Sequence, residues 1–149
     1  MITHYLANQL LRDFLSGYPN GTSLATNQSI YIGLSTTTPN ADGTGITEPN
    51  KNGYARVLIG RYNQSDTHKM STPASGSMYN TTSIYFPEVT TSTDAQGWGT
   101  CTYAILFDSL TGGHALAYSQ LTNAITPNSG TIPIIRTGTG TGDLVVTLQ

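Results

Sequence analysis

Charged side chains are scarce in this chain of 149 residues, in which Asp, Glu, Lys and Arg together make up 9%. An average soluble domain has about 25%. The net charge is −2, and the six cations are scattered along the chain at Arg12, Lys51, Arg56, Arg61, Lys69 and Arg136. Proteins that bind nucleic acid or an anionic membrane surface use clustered Lys and Arg. The composition therefore argues against both classes of partner.

Long apolar runs and paired cysteines are also missing. No run approaches the roughly 20 residues of a membrane span, and Gln9, Arg12 and Asp13 interrupt the N-terminal apolar stretch, unlike in a secretory signal peptide. The single cysteine, Cys101, cannot form an intramolecular disulfide. Because it lies in an apolar run without a neighbouring base, we predict a small buried side chain rather than a catalytic thiol.

Uncharged polar residues take the place of the missing charges, with 25 Thr, 13 Ser and 10 Asn. The β-branched side chain of Thr suits half-exposed strand positions. A chain of this length buries enough surface for one core. We therefore expect a single domain over residues 1–149.

The N-terminal segment has helical periodicity. Leu6, Leu10 and Phe14 recur at four-residue spacing, Thr3 is a suitable N-cap, and Gly17 suits the C-terminal end. We predict one amphipathic helix within residues 1–17. Its apolar face would pack on its own sheet or on a neighbouring subunit.

Beyond residue 28 the apolar pattern changes to the two-residue period of strands. It predicts seven strands, at residues 29–35, 54–60, 83–86, 99–107, 114–120, 131–136 and 144–148, with the fourth central and the fourth and fifth forming a hairpin. The fold class predicted is mainly β, with residues 28–149 forming an antiparallel β-sandwich or jelly-roll-like domain. Residues 36–52 and 63–79 are predicted as long loops, of the kind that are functional or held by a partner.

Catalytic and metal-binding motifs are absent. His4, His68 and His114 are not spaced as metal ligands, and neither a nucleophile elbow nor a phosphate-binding loop occurs. Two alternatives stay open: calcium binding by the Asn40–Asp42 loop, and a glycosidase in which Asp42 and Glu48 converge. We predict no catalytic residue, no cofactor and no metal.

Two local features carry specific expectations. A salt bridge between Glu48 and Arg56 would pin the 36–52 loop to the following strand, and would be worth about 0–1 kcal/mol if exposed. Trp98, between Gly97 and Gly99, is interpreted first as a core or loop-packing anchor. A ligand platform and a subunit contact are its alternatives.

Several segments, taken in order, resemble a family of small virion proteins of tailed bacteriophages, described as tail-fibre-like or minor structural proteins. The most specific is Gly53-Tyr54-Ala55-Arg56 after Glu48-Pro49. The other matching segments are residues 5–11, 30–39, 42–45, 84–87, 98–100, 104–108, 111–113, 116–118 and 144–148. The polar stretch 63–79 departs from the family pattern.

The resemblance implies a non-enzymatic structural role on a virion, in a tail fibre, minor tail, head-decoration or collar position, without a cofactor. It implies synthesis in the host cytoplasm without secretion, and partners that are other virion proteins and other copies of the chain, as a trimer or higher cyclic assembly. The candidate assembly contacts are Leu6, Leu10, Phe14, Glu48, Tyr54, Arg56 and Trp98. Removing residues 1–16 is expected to abolish assembly and leave a folded β domain. The alternative function is a carbohydrate-binding or adhesin-like module that attaches to host-surface glycan.

Overall fold

Antiparallel β-strands dominate the computed structural model, which describes residues 10–11, 29–60, 69–90, 97–137 and 144–147. There are eight strands in this part of the chain: β1 (Ile30–Ser35), β2 (Val57–Gly60), β3 (Ser77–Tyr79), β4 (Ile84–Tyr85), β5 (Cys101–Phe107), β6 (Ala115–Ile125), β7 (Ile134–Ile135) and β8 (Val145–Thr147). The mainly β, antiparallel class is confirmed. Within the described ranges, no helix has the length and apolar character needed to cross a membrane.

The main sheet has four strands in the order β2-β1-β5-β6. Strands β1 and β5 pair antiparallel, from Tyr31 opposite Phe107 to Ser35 opposite Tyr103. Strand β5 continues through the turn after Phe107 into its antiparallel neighbour β6. The predicted hairpin is confirmed, and so is the central position of β5, because it lies between β1 and β6.

Strand β1 is buried at five of its six positions, all except Tyr31. Ile30, Ile32 and Leu34 alternate along it, and all three are buried. Successive side chains of a strand point to opposite faces, so these three share one face. Gly33 lies on the other face, where its missing side chain makes room for the cluster described below.

Two short strand pairs complete the regular structure, β3 with β8 and β4 with β7. Strand β3 was not expected, because residues 77–79 lie in the predicted 63–79 loop. A turn with positive φ at Ser75 and Gly76 leads into it, and its register with β8 runs from Ser77 opposite Thr147 to Tyr79 opposite Val145. The backbone partner of so short a strand comes from far along the chain, and local sequence does not reveal it.

Strand β6 also differs from its prediction, since it runs to Ile125 rather than ending at residue 120. The added residues, Leu121-Thr-Asn-Ala-Ile125, lack clear alternation. Only Ile125 of these residues pairs with β5, opposite Cys101, and residues 121–124 form the irregularity in register between Gln120 and Ile125.

The predicted N-terminal helix is described only at Leu10 and Leu11, which have helical backbone conformation. Leu11 is buried, with 2% of its surface exposed. The rest of residues 1–17, including Leu6 and Phe14, lies outside the described residues. The helix as a whole stays a prediction.

The chain divides into two compact units, and the single domain over residues 1–149 stays a prediction. The first unit comprises Met1–Ile30, Leu58–Ile84 and Ile135–Gln149, and the second comprises Tyr31–Val57 and Tyr85–Ile134.

The first unit is held together by a buried polar side chain, Asn80, which is fully inaccessible. Its amide nitrogen donates to the carbonyl oxygens of Thr82 and Arg136, at 3.1 and 3.0 Å, and its amide oxygen accepts the N–H of Leu144 at 2.9 Å. Because every polar atom of the amide has a partner, burial does not leave an unsatisfied group. One side chain therefore joins three backbone segments of this unit.

Candidate functional site

The second unit contains a group of residues that converge around Arg56, called here the Arg56 cluster and made of Gly33, Glu48, Tyr54, Arg56 and Phe107. Arg56 donates from Nε to both carboxylate oxygens of Glu48, at 2.9 and 3.1 Å, and from Nη2 to Oε2 at 2.6 Å. The predicted Glu48–Arg56 salt bridge is confirmed. It is not an exposed pair, because the Arg56 and Glu48 side chains are 7% and 22% exposed.

Arg56 also binds the turn between β5 and β6. Its Nη1 donates to the carbonyl oxygens of Ser109 and Gly112, both at 2.7 Å. Its Cζ lies 3.3 Å from the centroid of the Phe107 ring, in a cation–π arrangement. A planar, multiply donating guanidinium can do all of this at once, whereas a lysine ammonium cannot. Arg56 thus ties the 36–52 loop to the β5–β6 turn.

Tyr54 links the same carboxylate to strand β1. Its hydroxyl donates to Glu48 Oε1 at 2.7 Å and accepts the N–H of Leu34 at 2.8 Å. Burial, followed by the hydrogen bond to Glu48, raises the pKa of Tyr54 well above its ordinary value. The phenol therefore stays protonated and serves as a fixed donor to Glu48.

Gly33 is the position that makes this arrangement possible. A Cβ atom built there would lie 2.8 Å from Glu48 Oε1, 2.8 Å from the Tyr54 hydroxyl and 2.9 Å from Phe107 Cε2. Any side chain would therefore displace three members of the cluster. The glycine is required by close approach, as is common for glycine inside a strand.

Trp98 lies against the cluster on the side of Tyr54. Only 3% of its surface is exposed, and its ring packs edge to face with Tyr54 and Phe86 at centroid distances of 5.1 and 6.3 Å. Its Nε1 donates to the carbonyl oxygen of Asn52 at 3.0 Å. The interpretation of Trp98 as a core and loop-packing anchor is confirmed, since this burial leaves its ring no open face.

Asn52 and Gly53 form the turn that Trp98 anchors. Both have positive φ, 57° and 80°, and the N–H of Tyr54 donates to the carbonyl of Lys51 at 3.3 Å. Positive φ at both central residues is the requirement of a type I′ turn, which Asn-Gly satisfies best. The Asn52 amide also donates to the Gly97 carbonyl at 2.7 Å, so the turn fixes Tyr54 next to Trp98.

The predicted loop 36–52 is stabilised by its own hydrogen bonds. The N–H of Thr36 donates to Thr47 O at 2.9 Å, and the Thr37 hydroxyl donates to Gly45 O at 2.7 Å. Asp42 accepts the hydroxyl and the N–H of Thr44, at 2.7 and 3.0 Å, and these bonds, the hydroxyl first, lower the pKa of its carboxyl. Across the described residues no three His, Cys, Asp or Glu side chains gather as a metal site.

An open pocket of about 370 Å³ borders the Arg56 cluster, lined by Glu48, Pro49, Asn50, Tyr54, Ala55, Arg56, Leu110, Thr111 and Gly112. The charged groups in its wall already bind each other or backbone carbonyls. Leu110 at its rim is about half exposed. The exposed residues Asn50 and Thr111 complete its polar lining.

The predicted contact residues are thus only partly brought together. Glu48, Tyr54 and Arg56 meet in one cluster, and Trp98 contacts it through Tyr54. Leu10 is half-buried in the other unit, and Leu6 and Phe14 lie outside the described residues. Whether any of the seven contacts another subunit stays a prediction.

Sequence reasoning missed the role of Gly33, Asn52 and Phe107. Two features of the sequence could have revealed the first two. A glycine inside an alternating strand often marks a close approach of another group, and an Asn-Gly pair favours a tight turn. Nothing local marked Phe107 as the ring beneath Arg56, because that contact depends on how β5 lies beside the 54–56 segment.

Comparison with known proteins identifies one family. No curated protein matches the chain. The sequence profile of a family described as Podophage GP4 fiber I protein gp80 matches residues 1–143, which confirms the resemblance to phage tail-fibre-like structural proteins. The chain therefore belongs to the Podophage GP4 fiber I protein gp80 family and is a structural component of a phage virion.

Proposed function

We propose that the chain is a tail-fibre protein that works by protein–protein assembly and has no catalytic activity. The observation that carries this proposal is the family match, which extends over residues 1–143 of 149. A fibre position is favoured over a head-decoration or collar position because the family is described by a fibre protein. Synthesis in the host cytoplasm without secretion is part of the same proposal.

The geometry of the Arg56 cluster supports a structural role. Glu48 is engaged by Arg56 and Tyr54, and Asp42 is engaged by Thr44. A glycosidase would need two carboxylates that share a cleft, one of them protonated near neutral pH. The pKa of Asp42 is instead lowered. These acids serve as hydrogen-bond acceptors that fix the loops.

The partners proposed are other copies of the chain, in a trimer or higher cyclic assembly, and other virion proteins. With a net charge of −2, adjacent copies repel each other little. Thr, Ser and Asn side chains can hydrogen-bond across an interface at modest desolvation cost. The sandwich or jelly-roll-like arrangement of the strands belongs to this proposal as well.

A second candidate function is binding of a host-surface glycan. Tyr85 and Tyr118 are 59% and 41% exposed, and exposed tyrosine rings with a hydroxyl can pack on sugars. The two roles are compatible, because a fibre protein can also attach the virion to its host. Trp98 would take no part in this, since it is buried.

Electron microscopy of intact particles that carry a labelled copy of the chain tests the main proposal. We expect the label on fibres that extend from the tail. Label on the head or collar would overturn the fibre assignment while leaving a structural role. A glycan array probed with the oligomeric protein tests the second function, which an array without hits would remove.

A further inference from the structure

The turn at Asn52 and Gly53 contains a chemically reactive pair of residues. The amide carbon of an asparagine can be attacked by the backbone nitrogen of the next residue, and a following glycine has no side chain to hinder the attack. The Gly53 nitrogen would bond to Asn52 Cγ as the Cγ–Nδ2 bond breaks, and ammonia would leave with the proton of the Gly53 nitrogen. Water then opens the resulting succinimide ring to aspartate or isoaspartate. Asparagine is counted among the thermolabile residues of proteins.

The backbone of the turn decides whether this ring can close. In a type I′ turn the first central residue has a ψ of about +30°, and the nitrogen that follows it then points away from its Cβ atom. Ring closure requires that nitrogen on the same side as Cβ, as in a type II′ turn, where ψ is about −120°. Asn52 and Gly53 have φ values of 57° and 80°, which match type I′. The reactive arrangement is therefore one rotation of the peptide unit between Asn52 and Gly53 away.

Two hydrogen bonds oppose that rotation. The carbonyl oxygen of Asn52 belongs to the peptide unit that would rotate, and it accepts Nε1–H of Trp98 at 3.0 Å and the N–H of Thr90 at 2.9 Å. A third bond holds the side-chain amide, because Asn52 Nδ2 donates to the carbonyl oxygen of Gly97 at 2.7 Å. Asn52 and Trp98 are buried, so breaking these bonds leaves polar groups away from water.

We propose that Asn52 is a site of spontaneous deamidation, and that the hydrogen bonds from Trp98 and Thr90 to its carbonyl oxygen keep it unreactive in the folded chain. Reaction then requires the turn to open locally, so its rate follows the fraction of chains in which the turn is open. Trp98 thereby protects the turn chemically as well as packing against it. This inference does not depend on the assembly function proposed above.

Deamidation would damage this part of the fold. A carboxylate at position 52 would direct an oxygen at the Gly97 carbonyl oxygen, so two acceptors would meet where a donor and an acceptor now lie 2.7 Å apart. Isoaspartate would add a carbon atom to the backbone of the turn. Either product removes the hydrogen bond to Gly97, so a chain that has reacted does not rebuild the turn beside Trp98.

Mass spectrometry of the full chain after incubation tests the protection. Trypsin cleaves after positions 51 and 56, so the pair is recovered as the peptide 52–56. A second Asn-Gly pair, at positions 20 and 21, lies in the separate peptide 13–51 and serves as a reference for solution conditions. We expect conversion of Asn52 to be about tenfold slower, or slower still, in the folded chain than in the chain denatured in urea, because local opening must precede the reaction.

Two outcomes of this comparison would overturn the proposal. Equal rates in the folded and denatured chains would show that the fold gives no protection. A denatured chain in which Asn20 is converted and Asn52 is not would show that Asn52 is not a deamidation site.

Trp98→Phe tests the part played by the indole N–H, since it keeps an aromatic ring and removes the donor to the Asn52 carbonyl. We expect conversion of Asn52 to be about two- to tenfold faster than in the wild type, the ratio expected for loss of one hydrogen bond. The matched control is Phe86→Leu, because Phe86 packs on the Trp98 ring at a centroid distance of 6.3 Å. It loosens the same contact and leaves the donor in place, so a rate close to that of the wild type is expected.

Circular dichroism shows whether each variant is folded. A folded Trp98→Phe variant that reacts at the wild-type rate would overturn the role of the indole N–H, and so would equal acceleration in Phe86→Leu. The comparison of folded and denatured wild type tests the protection without either variant.

Asn52→Asp tests the consequence of the reaction. Its control is Asn52→Gly, which tolerates the positive φ and loses the same side-chain donor without adding a charge. We expect Asn52→Asp to unfold at a lower urea concentration than Asn52→Gly at neutral pH, with Trp98 fluorescence as the readout. Equal unfolding midpoints would overturn the predicted damage.

Discussion

At the scale of single residues, the site depends on a side chain that is missing. Gly33 leaves the space into which Glu48, Tyr54 and Phe107 converge. Its backbone conformation is an ordinary extended one, so the need for glycine comes from packing and not from a positive φ. Interiors are packed densely enough that a single added methyl group is felt.

Gly33→Ala is expected to destabilise the chain by about 1–3 kcal/mol, the usual cost of overpacking a filled core. The free energy of unfolding can be followed by the fluorescence of Trp98, the one tryptophan, which packs against Tyr54. The control is Gly112→Ala. A Cβ at this position would have no atom within 4 Å, so the substitution adds no overpacking, but the backbone φ of +62° is strained for alanine. It costs only backbone strain, about 1 kcal/mol. Stability of Gly33→Ala equal to that of the wild type would contradict the close approach.

Glu48→Gln tests the ion pair between Glu48 and Arg56 in the same cluster. It leaves the Arg56 guanidinium, 7% exposed, without its carboxylate, and removal of one partner from a buried pair costs about 3–5 kcal/mol. We expect the lower end of that range, because Gln keeps one acceptor. The matched control is Glu88→Gln at an exposed position, for which a change within about 0.5 kcal/mol is expected. Equal effects of the two variants would contradict the special role of Glu48.

At the scale of elements, the β5–β6 turn is held from both ends. Arg56 binds its carbonyl groups at Ser109 and Gly112. Asp108 accepts the N–H of His114 at 2.7 Å and the His114 ring Nδ1 at 2.9 Å. These bonds, the backbone one first, hold the pKa of Asp108 below its ordinary value of 3.8. The turn that positions the start of β6 is therefore stabilised by an ionised carboxylate.

This contribution has a defined pH dependence. Because the folded-state pKa of Asp108 is lowered, its stabilisation is fully present above pH 3.8 and is lost as the pH falls through the folded value. Asp108→Asn is expected to be less stable than the wild type at neutral pH, and the difference should shrink below pH 3.8. Unfolding free energies measured across pH test this. His114→Ala keeps the backbone donor and should show the smaller change, and a difference for Asp108→Asn that does not vary with pH would contradict the assignment.

The elements also show how far sequence reasoning reaches. Long alternating segments such as β1 and β5 were predicted with bounds close to those observed, because alternation fixes which face is buried. Strand β3 and the second half of β6 were not predicted. The sequence of β3 carries no long alternation, and its partner β8 lies far along the chain. In the second half of β6 only Ile125 pairs with β5, so residues 121–124 follow no regular strand pattern.

At the scale of the whole molecule, the composition is compatible with the assembly proposed for the chain. A chain with 9% charged residues presents few charges to neighbouring copies, and the charges of the Arg56 cluster are bound within the chain. The burial of Leu11 bears on the expected effect of removing residues 1–16. That truncation takes away a buried side chain as well as the contacts proposed at Leu6, Leu10 and Phe14, so circular dichroism of the truncated chain separates loss of fold from loss of assembly.

The sequence by itself determined the β class, the phage-fibre family and the Glu48–Arg56 pair, because alternation, ordered motifs and complementary charges are local properties. Only the tertiary structure decided that this pair is largely buried, that Gly33 must lack a side chain, and that Trp98 is an internal anchor. It also decided that, among the described residues, the uncharged strand β6 lies at the edge of the four-stranded sheet. All of these features depend on which distant segments of the chain come into contact. Burial and close approach are properties of packed neighbours, so no single position in the sequence determines them.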